Sequence, residues 1–494
     1  MNNSKCNHAI QLIAVLLAIA ATLPAACAVP SQYAAMFPPT NTSWRVAYPA
    51  RVAETPPLRG VMLPGGTCAE DDFKTLNEWG ATLARYQMIR GWHKQNDNQD
   101  LADFDRWLDG KLDHLERDVL PWAKKYSIRI VVDLHVPPGG RDNGEMNMFH
   151  NPLWADHFIA CWRRIAARFK ARPEIFGFDL INEPSQNKPA PPGLDYWNLQ
   201  RRAAEAVRAI DPDTPIIVAA NQWDSAPAFE YLSPLALDNV IYQVHMYQPF
   251  EFTHQGVHAA NADYKKFTYP NAEKGWNRDY IRKCLAPVVE FQKRHNARIY
   301  VGEFSAITWA DGADRYIADC ISVFEEYGWD WTYHAFREWP GWSVEHQATA
   351  WQKFSPSADN PRRRALLAGL ALSRRKPVAA ISIKHPPLFA EHPAKIIAKT
   401  VSPKQLDVSH LRYCILTSDG RTVVTFRDAP SSNPTEIPVH LPAGDYQLRT
   451  TDGTWFYGCA AFTVSPASEA PPEKKKSTKP LDGMRRFWHD VRSL

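Results

Sequence analysis

Eight short β-rich runs alternate with helix-like segments between residues 58 and 376, and this alternation predicts an α/β fold, a (β/α)8 TIM barrel. Residues 175–184 are a second observation. Seven mostly apolar residues lead directly into Asn182, Glu183 and Pro184, which is typical of a buried parallel strand that ends in a turn. After residue 376 the pattern changes to β-formers bounded by Gly-containing turns, which predicts a small all-β, sandwich-like domain over residues 381–466.

The predicted barrel strands and helices alternate along the chain. The strands are residues 59–63, 81–88, 128–134, 175–181, 215–220, 240–245, 298–302 and 329–336. Helices are expected at residues 71–79, 103–125, 152–171 and about 194–210. More than fifty residues separate the sixth and seventh strands, and the aromatic-rich loop within this interval, 248–276, is long enough to be a functional insertion.

The C-terminal part of the chain has a different texture. Its expected strands are residues 413–418, 422–426, 437–440, 446–450 and 454–462, and the turn pairs 419–420, 443–444 and 452–453 have the composition of hairpin turns. Such a domain could bind carbohydrate or pack against the barrel, and we favour packing because no aromatic row stands out. Residues 467–494 are Pro-, Lys- and Ser-rich at first and basic at the end, which predicts a disordered tail.

The first 28 residues have the composition of a signal peptide. Lys5 precedes an apolar core at residues 10–21, and Ala26-Cys27-Ala28 is a small-residue cleavage site. Residues 29–57 then read as an extended lead-in to the barrel. We expect a secreted or periplasmic protein. Lipoprotein anchoring at Cys27 is the less favoured alternative, because Pro24 fits that pattern poorly.

Bulk composition excludes several classes of protein. Hydrophobic residues make up 45% and charged residues 22% of the 494 residues, as in a globular protein, and beyond the signal peptide no stretch reaches the ~18 apolar residues of a membrane span. The net charge of +4 is small, so we expect no nucleic-acid partner, and we expect a monomer. The 18 Trp and 18 Tyr suit the mixed apolar and polar surface of a sugar.

Six cysteines remain after removal of the signal peptide, and an even number in an exported chain permits disulfides. They are Cys68, Cys161, Cys284, Cys320, Cys414 and Cys459. A bridge between Cys414 and Cys459 is the first pairing to consider, and buried thiols are the alternative. Because Cys-x-x-Cys and other metal-ligand spacings are absent from the sequence, we expect no metal and no cofactor.

Two predicted strands end at glutamate residues. Glu183 follows the fourth strand and Glu303 follows residues 298–302, 120 positions further along the chain. Polar residues at the C-terminal ends of barrel strands point into the mouth of the barrel. A retaining glycosidase needs two such carboxylates, one to protonate the leaving oxygen and one to attack the anomeric carbon.

The sequence resembles a known family at these positions. Asn182-Glu183-Pro184, His245-Met246-Tyr247, Gly302-Glu303-Phe304 and Arg85, in this order and spacing, are similar to glycoside hydrolase family 5, the cellulase-like retaining β-glycosidases. The resemblance covers roughly residues 55–375. It implies cleavage of a β-glucan-type polysaccharide by double displacement. Alternatives are a mannan-specific enzyme, an exo-acting enzyme on oligosaccharides, a non-catalytic carbohydrate-binding barrel and, least favoured, a metal-dependent hydrolase.

The resemblance also implies roles for individual residues. Glu183 would be the acid/base and Glu303 the nucleophile, with Arg85 holding Glu303 ionised. Asn182 would donate to the sugar 2-hydroxyl.

Three further positions are carried over by motif. Tyr247 would contact the nucleophile, His245 would lie near the acid/base, and His135, at the end of the third strand, would line the cleft.

The eighth strand departs from the family pattern. The family pattern there resembles Trp-Thr-Tyr-Trp, in which the second Trp stacks beneath the sugar, whereas this chain has His334 at that position. Trp339 or Trp342 would then supply a stacking face, or His334 would bind a hydroxyl group. Trp223, beyond the fifth strand, is a further candidate stacking surface.

Overall fold

The computed structural model describes residues 44–48, 57–66, 68–91, 98–142, 144–258, 264–373, 381–400, 412–417, 422–426, 435–451 and 456–469. The predicted signal peptide, most of the lead-in and nearly all of the predicted basic tail lie outside these residues. In the described part of the chain, no helix has the length and apolar character needed to cross a membrane.

Eight parallel strands close into a barrel, which confirms the predicted fold. The barrel strands are β1 (Arg59–Met62), β2 (Leu83–Gln87), β3 (Arg129–Asp133), β6 (Ile175–Asp179), β7 (Ile216–Ala219), β8 (Val240–Met246), β9 (Arg298–Phe304) and β10 (Asp330–Tyr333). Between β3 and β6, the strands β4 (Arg141–Asp142) and β5 (Glu145–Met146) form a separate small hairpin. Around the barrel the order is β1-β10-β9-β8-β7-β6-β3-β2, so sequential barrel strands are neighbours and β1 pairs with β10 to close the sheet.

Helices cover the outside of the barrel. They are α1 (Glu70–Trp79), α2 (Leu101–His114), α3 (Leu120–Lys125), α4 (Pro152–Phe169), α5 (Tyr196–Arg208), α6 (Arg278–His295), α7 (Ala313–Tyr327) and α8 (Pro361–Leu370). The predicted helix over residues 103–125 is divided, because a π-helical turn, Leu115–Val119, separates α2 from α3. Asp100, Asn151, Asp195 and Asn360 cap their helices by accepting a backbone N–H, the role that their short polar side chains favour.

Apolar side chains fill the end of the barrel away from the predicted catalytic residues. They are Leu83, Val131, Phe176, Ile217, Ile241 and Tyr300, all buried. Nearer the C-terminal ends of the strands, the inward positions become polar, and Arg85, Asp133, Asp179 and Gln243 are almost completely buried there. The apolar layer therefore supports a polar layer at the barrel mouth.

The N-terminal ends of the strands are closed by residues 44–48. Tyr48 donates its hydroxyl to the carbonyl of Val240, where β8 begins, and accepts the N–H of Arg298, where β9 begins, both at 2.6 Å. Val46 N–H donates to the carbonyl of His295 at 2.9 Å. This part of the predicted lead-in has no regular secondary structure and lies against the base of the barrel.

A hairpin and an all-β region follow the barrel. Their strands are β11 (His346–Ala350), β12 (Lys353–Pro356), β13 (Ile381–Lys384), β14 (Leu388–Phe389), β15 (Ala394–Thr400), β16 (Arg412–Thr417), β17 (Thr422–Thr425), β18 (Thr435–Val439), β19 (Gly444–Thr451) and β20 (Phe456–Ser465). The last eight form a three-stranded sheet, β13-β15-β18, and a five-stranded sheet, β14-β20-β19-β16-β17, with a shared apolar core. The predicted sandwich-like all-β region is therefore present.

One predicted hairpin in this region is wrong. β16 pairs with β17 and β19 pairs with β20, as the turn pairs 419–420 and 452–453 indicate, but β18 pairs with β15 in the other sheet. The turn at residues 443–444 therefore carries the chain from one sheet to the other. Its composition indicates a turn but does not specify which strands pair.

The suggested Cys414–Cys459 disulfide is also wrong. β19 lies between the two strands that carry these cysteines, and both are in register with Arg449 of β19. Two strand spacings of about 4.8 Å put their Cα atoms about 9.6 Å apart, which exceeds the ~7 Å limit for a disulfide. Cys68, Cys161, Cys284, Cys320 and Cys414 are buried thiols.

The all-β region contacts the barrel through a buried arginine. Arg449 donates through Nη1 to the carbonyl of Glu325 in α7 at 2.6 Å. The side chain of Glu325 in turn accepts two hydrogen bonds from Arg59, each 2.7 Å long, and one from Trp331 at 3.0 Å. Helix α7 is thus bonded to both parts of the chain at one residue.

Candidate active site

Glu303, on β9, is held by two donors at the barrel mouth. Arg85 Nη1 donates to Oε1 at 2.7 Å and the Tyr247 hydroxyl donates to Oε2 at 2.8 Å. Burial by itself would raise the pKa of Glu303, but the positive charge around it, including that of the Arg85 guanidinium, favours the charged form, and the net pKa lies well below the ordinary value. The Glu303 side chain is therefore an oriented carboxylate.

Arg85 is the centre of the polar layer. Its side chain is completely buried; Nε donates to Asp179 at 3.0 Å and Nη2 to the Asn182 Oδ1 at 2.9 Å, while Asp133 lies 3.3 Å away. Burial lowers the pKa of Arg85, but the surrounding carboxylates raise it well above its ordinary value. Sequence reasoning did not single out Asp133 or Asp179, although an acidic residue within an apolar strand is itself an unusual signal.

Glu183 follows β6 in the left-handed backbone region, with φ of 48°. Its backbone N–H donates to Asp224 Oδ2 at 3.0 Å, and its carbonyl accepts from Arg141 Nη2 at 2.8 Å. Its side-chain Oε1 lies 2.9 Å from His245 Nδ1. The backbone and the carboxyl group of Glu183 are thus fixed by different neighbours, and neither Asp224 nor Arg141 was anticipated from the sequence.

The two glutamates lie close together. Carboxylate oxygens of Glu183 and Glu303 and a ring nitrogen of His245 all lie within 4.8 Å of one another. β8 and β9 are in register such that His245 is opposite Glu303. The closeness is comparable to the ~5–5.5 Å that separates the two carboxyl groups of retaining glycosidases.

His135 and Asn182 lie side by side next to this pair. His135 Nε2 is 3.1 Å from Asn182 Nδ2, and its Nδ1 is 2.7 Å from Asp133 Oδ2. His135 therefore orients the Asn182 amide, whose oxygen is held by Arg85.

His334 lies at the end of β10 among charged neighbours. Its Nδ1 is 2.7 Å from the Tyr247 hydroxyl and 3.7 Å from Glu303 Oε2, and its Nε2 is 3.7 Å from Glu338 Oε1. Burial would lower the pKa of His334, but Glu303 and Glu338 raise it, with a net increase. Glu338 also accepts from Gln87 at 2.7 Å. Neither Glu338 nor Gln87 was among the residues anticipated from the sequence.

Of the two tryptophans suggested as a replacement stacking face, Trp342 is the one beside the site. Its ring lies 5.7 Å from His334 and 6.4 Å from Tyr247. Trp339 lies one ring further away, packed against Trp309, Phe354 and Trp342 at 5.7–6.2 Å.

Trp223 is connected to the site through Arg141. The Arg141 guanidinium lies 4.9 Å from the centre of the indole ring. The Trp223 backbone N–H donates to Pro184 O at 3.2 Å, directly after Glu183. The half-buried indole therefore packs on the cation that holds the Glu183 carbonyl.

Among the residues that the structure describes, two groups of side chains have the spacing of metal ligands. One is Glu183, His245 and Glu303, but their atoms already have partners in Arg85 and Tyr247 and in each other. The other comprises Asp105, His157 and Cys161, on the outer helices. In that group Asp105 Oδ1 accepts from Arg164 at 2.9 Å and lies 3.0 Å from His157, so a cation, Arg164, is already present.

Comparisons with known proteins identify related enzymes and a related fold. Residues 51–338 match the family model "Cellulase (glycosyl hydrolase family 5)". Endoglucanase C of Acetivibrio thermocellus is 29% identical over 296 residues, covering 53% of this chain and 83% of that protein. Cellodextrinase A of Ruminococcus flavefaciens is 23% identical over 269 residues, covering 52% and 75%. A Thermotoga maritima Cel5A structure in complex with cellobiose has a TM-score of 0.50 at 23% identity, covering 63% of this chain and 96% of that one, a likeness of fold.

The matched region contains both strand-end glutamates and makes up more than half of the chain. The chain belongs to glycoside hydrolase family 5. It is therefore a glycoside hydrolase, as the sequence resemblance implied.

Proposed function

We propose that the protein is an exported, retaining endo-type glycosidase that cleaves β-glycosidic bonds of a β-glucan by double displacement. The closeness of the Glu183 and Glu303 carboxylates, within 4.8 Å, is the observation that carries the proposal. The printed names of the relatives, endoglucanase and cellodextrinase, favour a β-glucan as the substrate. The composition of residues 1–28 supports export.

In the first step Glu303 attacks the anomeric carbon. Its two oxygens are held by Arg85 and Tyr247, so the nucleophile is ionised and oriented before substrate arrives. Glu183 gives its proton to the departing oxygen. A glycosyl–Glu303 ester forms, and the leaving sugar departs as an alcohol.

In the second step Glu183, now a carboxylate, takes a proton from water. The resulting hydroxide-like oxygen attacks the anomeric carbon, the ester bond to Glu303 breaks, and the proton on Glu183 is restored. Asn182, oriented by Arg85 and His135, donates to the sugar 2-hydroxyl while positive charge develops on the ring.

The substrate preference is tested with soluble polysaccharides. We expect hydrolysis of carboxymethylcellulose or mixed-linkage β-glucan in the presence of EDTA, with a strong decrease for Glu183→Gln and for Glu303→Gln. Glu290→Gln, in which the substituted side chain is 61% exposed on α6, is the matched control and should retain activity. Activity on glucomannan alone would favour a mannan substrate, and loss of activity with EDTA would favour metal-dependent hydrolysis.

The position of His334 keeps the mannan and exo-acting alternatives open. An imidazole bonded to Tyr247 presents a smaller and more polar surface than an indole. A product analysis by chain length distinguishes endo from exo action, because an endo-acting enzyme lowers polymer viscosity before it releases much reducing sugar.

A further inference from the structure

Glu183 and Asp224 lie on opposite sides of the His245 imidazole. His245 Nδ1 is 2.9 Å from Glu183 Oε1, and its Nε2 is 3.6 Å from Asp224 Oδ2. The same Asp224 oxygen accepts the backbone N–H of Glu183 at 3.0 Å. We propose that Asp224 is a positioning residue for the acid/base, which holds the Glu183 backbone and fixes the Nε2–H tautomer of His245; this rests on the proposed function of Glu183.

The backbone around Asp224 has an energetically unfavourable conformation. Gln222, Trp223 and Asp224 have φ of 57°, 64° and 56°, three consecutive L-residues in the left-handed region. In this region the Cβ atom crowds the following carbonyl, so such a run persists only where the surroundings fix it. Its effect here is to bring the fully buried Asp224 side chain beneath Glu183.

Polar atoms around His245 Nε2 favour a ring hydrogen on that nitrogen. In the described part of the chain, His245 Nε2 and Gln243 Oε1 have no hydrogen-bond partner. A Cβ atom on Gly302 would lie 2.3 Å from Gln243 Oε1 and 2.9 Å from His245 Nε2, so both atoms border the same small space. A lone pair on Nε2 would face acceptor oxygens of Asp224 and Gln243, whereas an Nε2–H would face acceptors that attract it.

This tautomer decides which group carries the shared proton. A neutral imidazole with its hydrogen on Nε2 has only a lone pair on Nδ1. The hydrogen bond between Nδ1 and Glu183 Oε1 then requires the hydrogen to come from the Glu183 carboxyl group. Asp224 therefore favours the protonated Glu183 that the first step consumes.

Asp224 can accept hydrogen bonds in either protonation state. Burial raises the pKa of Asp224 well above its ordinary value, and Asp179 and Glu183 raise it further. Oδ1 of Asp224 has no hydrogen-bond partner in the described part of the chain, so a proton placed there leaves Oδ2 as an acceptor. An amide oxygen can accept the same hydrogen bonds, so we expect Asn at position 224 to preserve the function of Asp224.

The test uses three variants and two substrates. Asp224→Gly removes the acceptor and suits the left-handed backbone, Asp224→Asn keeps an acceptor, and Asp211→Asn alters another buried carboxylate that accepts backbone N–H groups away from the site. The probes are 4-nitrophenyl β-cellobioside and 2,4-dinitrophenyl β-cellobioside, because the second leaving group departs without a proton. We expect Asp224→Gly to lower kcat/KM ~10- to 100-fold on 4-nitrophenyl β-cellobioside, because part of the general-acid contribution is lost. On 2,4-dinitrophenyl β-cellobioside, kcat/KM should fall only a few-fold. Asp224→Asn and Asp211→Asn should stay within a few-fold of wild type.

¹⁵N NMR of histidine-labelled protein measures the tautomer of the His245 ring, which would not change if Asp224 had only a structural role. His245→Asn assigns the signal, and wild type and Asp224→Asn should show an Nε2–H tautomer that Asp224→Gly loses. An unchanged tautomer in Asp224→Gly, or equal losses on the two cellobiosides, would overturn the proposal. Failure of the acid/base assignment can be distinguished from failure of the Asp224 proposal. If Glu183 is not the acid/base, the activity lost in Glu183→Gln would not depend on the leaving group, whereas NMR would still report whether Asp224 fixes the His245 tautomer.

Discussion

Arg85 donates through Nη1 to Glu303 Oε1 at 2.7 Å from a side chain with no exposed surface. The guanidinium is shared among Asp133, Asp179, Asn182 and Glu303, so one residue sets both the charge and the direction of the proposed nucleophile. Because Arg carries its charge at every working pH, this arrangement needs no proton to be in place before substrate binds.

Replacement of Arg85 by Gln tests this arrangement. We expect kcat/KM to fall by ~10²–10³, as when a preorganised electrostatic donor is removed. The acid limb of the pH profile should move to higher pH, because the pKa of Glu303 rises when the cation is removed. Arg106→Gln, at a side chain 71% exposed on α2, is the control. An acid limb that stays in place would contradict the role of Arg85.

The depressed pKa of Glu303 also predicts how stability changes with pH. A carboxyl group whose pKa is lower in the folded than in the unfolded state contributes stability above the unfolded value of ~4.3, and this contribution is lost as pH falls toward the folded value. Urea unfolding of wild type should therefore show a steeper fall in the free energy of unfolding below about pH 5 than unfolding of Glu303→Gln. Parallel pH dependences of the two proteins would show that Glu303 titrates normally.

His334 is expected to hold Tyr247 and to add positive charge beside Glu303. His334→Ala removes the 2.7 Å contact to the Tyr247 hydroxyl, and we expect kcat on β-glucan to fall by ~10-fold. The pKa of His334 is raised, so its charge is present at low pH and is lost as pH rises through the folded pKa. Activity profiles from pH 5 to 9 should show an alkaline change in wild type that is absent from His334→Ala. Identical profiles would assign His334 a purely structural role.

The Arg59–Glu325 pair is expected to contribute to stability rather than to catalysis. Arg59→Met leaves Glu325, whose side chain is 3% exposed, buried without its cation, and such a loss costs ~3–5 kcal/mol. Arg106→Met breaks an exposed pair with Asp103 and should cost ~0–1 kcal/mol. Urea unfolding measures both, and kcat of folded Arg59→Met should match wild type. Equal effects of the two substitutions would contradict the assignment.

Several of the residues anticipated from the sequence lie at the ends of strands. Glu183, His245, Tyr247 and Glu303 follow runs of apolar residues, and the barrel geometry brings such positions to one mouth. The closed eight-stranded barrel is confirmed for the same reason, since each strand pattern is local. The proposed roles of these residues remain predictions for the experiments above.

What sequence reasoning missed depends on contacts between distant segments. Asp224 lies beneath Glu183 because three left-handed residues turn the chain there, and no composition rule for Gln222-Trp223-Asp224 indicates such a turn. Trp342 rather than Trp339 lies beside His334, a choice that depends on how the loop after β10 folds back. The pairing of β18 with β15 instead of β19 also depends on contacts between distant segments, which is why the hairpin predicted at 443–444 was wrong. The predicted Cys414–Cys459 pairing was wrong because β19 lies between the strands that carry these cysteines.

The double-displacement mechanism is tested most directly by the anomeric configuration of the newly formed reducing end. ¹H NMR during the first minutes of hydrolysis of a soluble β-glucan distinguishes the two anomers before mutarotation mixes them. Carboxylate oxygens within 4.8 Å match the short separation of a retaining site, so the β-anomer should appear first. Initial appearance of the α-anomer would show inversion and would contradict the assignment of Glu303 as the nucleophile.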